Sequence, residues 1–148
     1  MNDERRALVR ARYVRLTTYR RDGRAVATAV WFALEGDHVY VWTDAASGKA
    51  KRTRANGRAA VAPSDARGRA KAADIGATAR VLPASEEAHA RQLLATKYSR
   101  LKPLIDLWTS FGVVMLRKKR PTEVYLEVTL APASPAPGVI TAETGATE

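Results

Sequence analysis

The sequence contains no cysteine, which removes disulfides, thiolate nucleophiles and cysteine-ligated zinc from consideration. Histidine is nearly absent too. His38 and His89 stand far apart, neither in a cluster with metal-ligand spacing, and each reads as a surface or packing residue. No run approaches the roughly 20 apolar residues of a membrane span. The opening MNDERRALVRARYVRL lacks the apolar core of a signal peptide. A soluble, cytoplasmic protein with no membrane partner is the simplest expectation. Acidic residues are also scarce: 15 Asp and Glu face 25 Lys and Arg among 148 residues, a net charge of +10. The excess lies in the body, because residues 131–148 hold no Lys or Arg and two acids, Glu143 and Glu148. A field of that sign draws anions: nucleic acid, a membrane surface or a polyanionic small molecule.

What is present reads as a chain of short strands. A helix over 3–11 is followed by YVRLTTYR (13–20), rich in β-branched and aromatic residues. RDGR (21–24) is an Asp-Gly hairpin turn into AVATAVWFAL (25–34), and EGD (35–37) turns again into HVYVWT (38–43). Ser47 can cap a helix over 48–56 that Asn56-Gly57 ends, with Ala46, Ala50, Thr53 and Gly57 on one small-residue face. Strands are predicted at 58–65 and, after the turn ARGR (66–69), at 70–82, with Gly76 as a bulge or close-approach point. Ser64 and Asp65 read as part of a turn, not as a nucleophile pair.

Residues 83–100 begin with Pro, Ser and Glu and end in Lys and Arg, the charge order that suits a helix dipole. A second helical piece is predicted over 101–116, carrying Trp108 and Phe111, and the basic run 117–120 follows it. In 121–130, Val124, Leu126, Val128 and Leu130 alternate with Glu123, Tyr125, Glu127 and Thr129, as in a strand that closes a sheet. The fold class is therefore mainly β (α+β): six antiparallel strands in a small barrel with a few short helices, one domain over 1–130 and a disordered tail over 131–148.

The hairpin TTYRRDGRAVATAVWF and the block VYVWT…SGKAKRTRANGRAAVAP…ARGR carry a family likeness. Over about residues 10–130 the chain resembles the split β-barrel proteins related to pyridoxamine-phosphate oxidase, most of all their deazaflavin-dependent branch, which uses coenzyme F420. The resemblance implies a split barrel, a homodimer with cofactor sites at the interface, and hydride transfer to a small conjugated acceptor. It also implies that the cofactor ring meets Thr28, Ala29, Val30 and Trp31, and its phosphate Thr43, Ser47, Lys49, Lys51 and Arg52. Flavin-binding relatives often carry a basic residue just before the lysine, where this chain has Gly48, which argues against simple transfer of FMN binding.

A helix start offers unpaired N–H groups and partial positive charge, which suit a phosphate. F420 adds a glutamate tail, and Arg67, Arg69 and Lys71 could extend a basic track along it. No acid–base constellation is visible and no catalytic residue is named; the cofactor carries the chemistry. Three other readings stand beside this one. FMN could replace F420 in the same fold. The barrel could bind a cofactor or tetrapyrrole without turnover. A nucleic-acid module is disfavoured, because the strands lack interleaved aromatic and basic residues.

Overall fold

The computed structural model describes residues 3–100 and 122–132. In chain order these residues form α1 (Asp3–Arg10), β1 (Tyr13–Tyr19), β2 (Ala25–Glu35), β3 (His38–Asp44), α2 (Gly48–Ala55), β4 (Arg58–Ser64), β5 (Ile75–Val81), α3 (Glu87–Arg100) and β6 (Glu123–Leu130). A 3-10 turn over Ala84–Glu86 leads into α3. All strand pairs are antiparallel, and the barrel closes in the order β1-β2-β3-β6-β5-β4. The six-stranded barrel expected from the sequence is the fold observed. The predicted helix over 101–116, with Trp108 and Phe111, the run 117–120 and nearly all of the tail lie outside the described residues.

Alternation explains the core. Val14 and Leu16 of β1, Val30 and Phe32 of β2, Val39 and Val41 of β3, and Leu126, Val128 and Leu130 of β6 point inward and are buried. Leu8 of α1 joins them with no exposed surface. A second apolar layer lies outside the barrel, where Leu94 and Tyr98 of α3 pack on Ala33, Tyr40 and Tyr125. That layer covers part of the outer face of β6. Tyr125 is buried because α3 covers the face opposite Leu126, and Glu123 at the start of β6 is buried as well.

The two early turns match expectation. Gly23 (φ 92°) sits in the β1–β2 turn, and Gly36 (φ 60°) is the first central residue of the β2–β3 turn. Three other expectations change. Strand β5 begins at Ile75 and not at residue 70. Ala70 makes one bridge to Ser64, Lys71 N–H then bonds Pro63 O, and Asp74 turns aside to pair with Arg15 at 3.2 Å. Gly76 is neither a bulge nor a close approach: it pairs in register with Ala60, and a Cβ there would meet nothing within 4 Å. Ala46 is exposed, so the small-residue face reduces to Ala50 and Thr53 of α2 and Gly57 just past its end, where a Cβ would lie 3.0 Å from Ala79 O of β5.

The β4–β5 turn is built on Asp65. Its carboxylate accepts from the N–H groups of Arg67 and Arg69, both at 2.9 Å, and from Arg69 Nε at 2.7 Å. The backbone and side-chain bonds to Arg69 lead in holding the Asp65 pKa down at about 2. Gly68 closes the turn at φ 87°, where a side chain is strained. Gly68→Ala is expected to cost about 1 kcal/mol, seen as a lower Tm in thermal melting with an unchanged spectrum of secondary structure.

Candidate functional site

Strand β2 is shared unevenly by its neighbours. Residues Ala25–Trp31 pair with β1, whereas only Phe32–Glu35 pair with β3. Past Val41, the partner of Phe32, β3 is paired with β6 alone, matching Trp42 with Tyr125 and Thr43 with Val124. One edge of Ala25–Trp31 therefore has no strand partner among the described residues. This is the split in the barrel, and Thr28, Ala29, Val30 and Trp31 all lie on it.

The end of β3 leads from this split to α2. Ser47 is in extended conformation (φ −67°, ψ 157°), and its Oγ accepts from the Ala50 N–H at 3.2 Å. Thr43 Oγ1 donates to Ser47 Oγ at 3.0 Å, which fixes the cap rotamer. Asp44 Oδ1 takes the Ala46 N–H at 2.8 Å and Asp44 O takes the Ser47 N–H at 3.0 Å, so the backbone enters the helix in one defined way. The first turn of α2 carries no acid to use up its positive end.

Cations gather around this helix start. Lys49 is partly buried, and its pKa is lowered first by burial and then by the charge of Arg52. Arg52 donates Nε to the buried Thr18 Oγ1 at 2.7 Å. Its own pKa is lowered by burial and then by Arg20, at the start of the β1–β2 turn. Among the described residues no carboxylate pairs with Lys49, Arg52 or Arg20. Like charges brought together without an acid make a site that an anion relieves.

Gly48 is explained by the same geometry. A Cβ at this position would lie 2.5 Å from Arg52 Nη1, so the guanidinium occupies the space that a side chain at residue 48 would take. Gly48→Ala is expected to push the guanidinium aside, which a flexible side chain allows without unfolding the helix. Affinity for a phosphate-bearing ligand should then fall about fivefold, for about 1 kcal/mol of weakened charged contact, while Tm stays level or rises. A phosphate or cofactor titration beside a melting curve reads both.

The structure thus brings together Thr43, Ser47, Lys49 and Arg52 of the residues expected at the phosphate. Lys51 is exposed. Arg54 turns back to bond Ala45 O at 3.1 Å, and Arg58 lies over the Tyr19 ring at 4.1 Å. In the expected basic track Arg69 is engaged by Asp65, while Arg67 and Lys71 are exposed. A Cβ on Gly68 would lie 3.7 Å from Ala29 N, so this turn sits against the split stretch of β2. Sequence reasoning missed Arg20 and Thr18. The signal available was the basic flank of the hairpin, YRRDGR, which the pairing of β1 with β4 carries to the side of α2.

On the ring side, Thr28 Oγ1 is buried without a hydrogen-bond partner among the described residues. Trp31 stacks on Tyr98 with ring centroids 4.4 Å apart and meets Tyr13 edge-on at 6.4 Å. Its indole is held between β1 and α3, as an outer-layer aromatic would be. The two histidines are also placed: His38 Nδ1 lies 3.1 Å from Thr129 Oγ1, and His89 Nε2 lies 2.7 Å from Glu35 Oε1. No group of three His, Asp or Glu among the described residues could hold a metal ion. None of the described helices is long and apolar enough to cross a membrane.

Residues 1–128 match the family model of pyridoxamine 5'-phosphate oxidase. The chain belongs to this family. The pyridoxamine 5'-phosphate oxidase barrel is also seen in solved structures similar to it. One is an F420 reductase, 19% identical, with 89% of this chain and 96% of that one covered at a TM-score of 0.56. Another is an FAD-binding protein from Mesorhizobium loti, 17% identical, with 88% of each chain covered and a TM-score of 0.56. A third is the haem storage protein HutZ of Vibrio cholerae, 13% identical, with 87% and 88% covered and a TM-score of 0.60. At such identities the likeness is one of fold. No curated protein sequence matches the chain. Within the family frame, the residues present fit a phosphate-bearing flavin-type cofactor: three cations without acids at a capped helix start, beside a strand edge and a buried, unpartnered hydroxyl.

Proposed function

We propose that this chain is an oxidoreductase that binds coenzyme F420 and serves a small conjugated organic acceptor. The observation that carries the reading is the group of Lys49, Arg52 and Arg20 at the Ser47-capped start of α2, next to the unpaired edge of β2. Lys49, Arg52, Ser47 Oγ and the first N–H groups of α2 would hold the phosphate. The backbone of Thr28–Trp31 would face the ring, and the Thr28 hydroxyl would gain the partner it lacks in the described structure. Arg67 and Lys71, exposed around the turn that touches Ala29, would follow the acidic tail. When bound, the reduced deazaflavin supplies a hydride to the acceptor, and solvent supplies the proton. The protein's own part is to bind, orient and exclude water.

The reading includes a cytoplasmic homodimer, in which a second copy covers the open edge of β2 and completes the site. An uncovered strand edge is a standing invitation to pairing or coverage, which supports this assembly. A second reading, FMN in the same place, is favoured by one observation: Arg52 over Gly48 offers a single phosphate the cation that residue 48 does not.

Turnover tests the enzymatic proposal. Purified protein with chemically reduced F420 is offered a quinone, an unsaturated lactone and biliverdin in turn. The expected result is protein-dependent return of the oxidised deazaflavin's absorbance with at least one acceptor. Tight cofactor binding with no acceptor turned over would instead make this a binding barrel without catalysis.

A further inference from the structure

A cleft of about 780 Å³ opens between α1, β2 and α3 and shares no residue with the group around Lys49. Val9, Leu34 and Leu93 give it apolar walls, backed by the fully buried Leu8 and Phe32, and Val9 is an exposed large apolar residue. Its polar lining residues, Arg10, Arg12, His89, Gln92 and Thr96, are exposed; Lys97 alone is partly buried. Lys97 Nζ sits 3.3 Å from the centre of the Phe32 ring and donates to Ala11 O at 3.1 Å. Among the described residues no acid lines the cleft.

Among the described residues the charged and titratable groups around it are few. Arg10 and Arg12 come from the end of α1 and the residues after it. His89 of α3 is engaged with Glu35 of β2, and the Tyr98 hydroxyl is taken up by backbone groups of Phe32 and Arg12. Burial alone brings the Lys97 pKa down to about 7. A carbonyl and two ring faces are weak compensation for an ammonium group in an apolar wall. The missing partner is a carboxylate.

We propose that this cleft is a ligand site for a small amphiphilic carboxylate, its apolar part against Val9, Leu34 and Leu93 and its carboxylate on Lys97. The volume falls within the range of small-molecule sites, about 300–1,000 Å³. Arg10 and Arg12 add a field of the right sign at the rim. An alkyl amine would be repelled, and a neutral alcohol of the same length would leave the ammonium without its counter-charge. The carboxylate favours protonated Lys97, so above neutral pH binding takes up a proton. Affinity is greatest below the Lys97 pKa of about 7 and declines as pH rises through it.

The test compares octanoate with 1-octanol on the full chain by calorimetry, in two buffers of different ionisation enthalpy. Octanoate is expected to bind saturably and at least about tenfold more tightly than octanol, a charge–charge preference of the usual size. Its affinity should fall about eightfold between pH 6.5 and pH 8, with proton uptake at the higher pH. Lys97→Met should abolish the preference and flatten the profile, which separates Lys97 from His89. Equal binding of octanol, absence of saturable binding by octanoate, or a flat profile in the unaltered protein would each overturn the proposal. Those three readings need no variant to fold.

Discussion

Replacing Lys49 and Arg52 together by alanine is expected to weaken F420 binding about a hundredfold while the chain stays folded. A hydrogen bond to a charged group contributes about 1.5–3 kcal/mol, so removing two of them makes two orders of magnitude a conservative figure. Burial and then the charge of Arg52 lower the Lys49 pKa, while burial and then the charge of Arg20 lower that of Arg52. An anion removes that repulsion, so its binding gains from both groups at once. Folding should suffer little. Arg52→Ala leaves the buried Thr18 hydroxyl without its donor, a cost of about 1 kcal/mol, while the like-charge repulsion disappears. Calorimetric affinity and a melting curve on the same sample check both halves. Arg54→Ala serves as the control: its guanidinium is turned to Ala45 O, and affinity should hardly move. An unchanged affinity in the double variant would remove the start of α2 from the site.

Tyr98→Phe should be the costly single-atom change in the scaffold, lowering stability by about 2–3 kcal/mol and Tm by roughly 6–12 °C. The β1–β2 ladder ends at Tyr13 and Trp31. The next residues, Arg12 and Phe32, do not pair with each other. The Tyr98 hydroxyl stands between them, accepting from Phe32 N at 2.8 Å and lying 3.1 Å from Phe32 O and 3.0 Å from Arg12 O. A side chain of α3 thus continues the ladder by one residue, at the point where β2 changes partner from β1 to β3. Phenylalanine keeps the packing and the stack on Trp31 but leaves a buried N–H without an acceptor. Thermal melting of the variant reads the effect. A fall in Tm of under about 2 °C would mean that the bond contributes little.

What could be read from the chain alone follows the range of the forces involved. The hairpins were legible because Asp22-Gly23 and Gly36-Asp37 set turn geometry locally, β3 because it is a β-branched and aromatic run between turns, and β6 because apolar residues alternate over its length. The cap at Ser47 was legible for the same reason: it acts over three residues. The start of β5 was not. Ala70 to Ala73 carry no alternation to mark where pairing stops, and the stop depends on the distant Arg15 and Pro63. Burial of Tyr125 was equally hidden, since it comes from a helix packed across the sheet.

The candidate site divides in the same way. Thr43, Ser47 and Lys49 lie close together in the chain and could be found together. Arg20 entered only through barrel closure, and Gly48 made sense only once Arg52 was seen above it. Lys97 reads in sequence as a cation at the end of a helix. Its place over Phe32, without an acid beside it, is a product of packing.

The central claim is that the cation group at the start of α2, beside the split in β2, is built for a phosphate-bearing deazaflavin with an acidic tail. Equilibrium titration of the unaltered protein with oxidised F420 and, separately, with FMN tests it most directly. The expected result is one F420 per chain, bound at least about tenfold more tightly than FMN and progressively more weakly as salt is raised, because the tail interaction is screened. FMN binding as tightly as F420, or no F420 binding by folded protein, would contradict it.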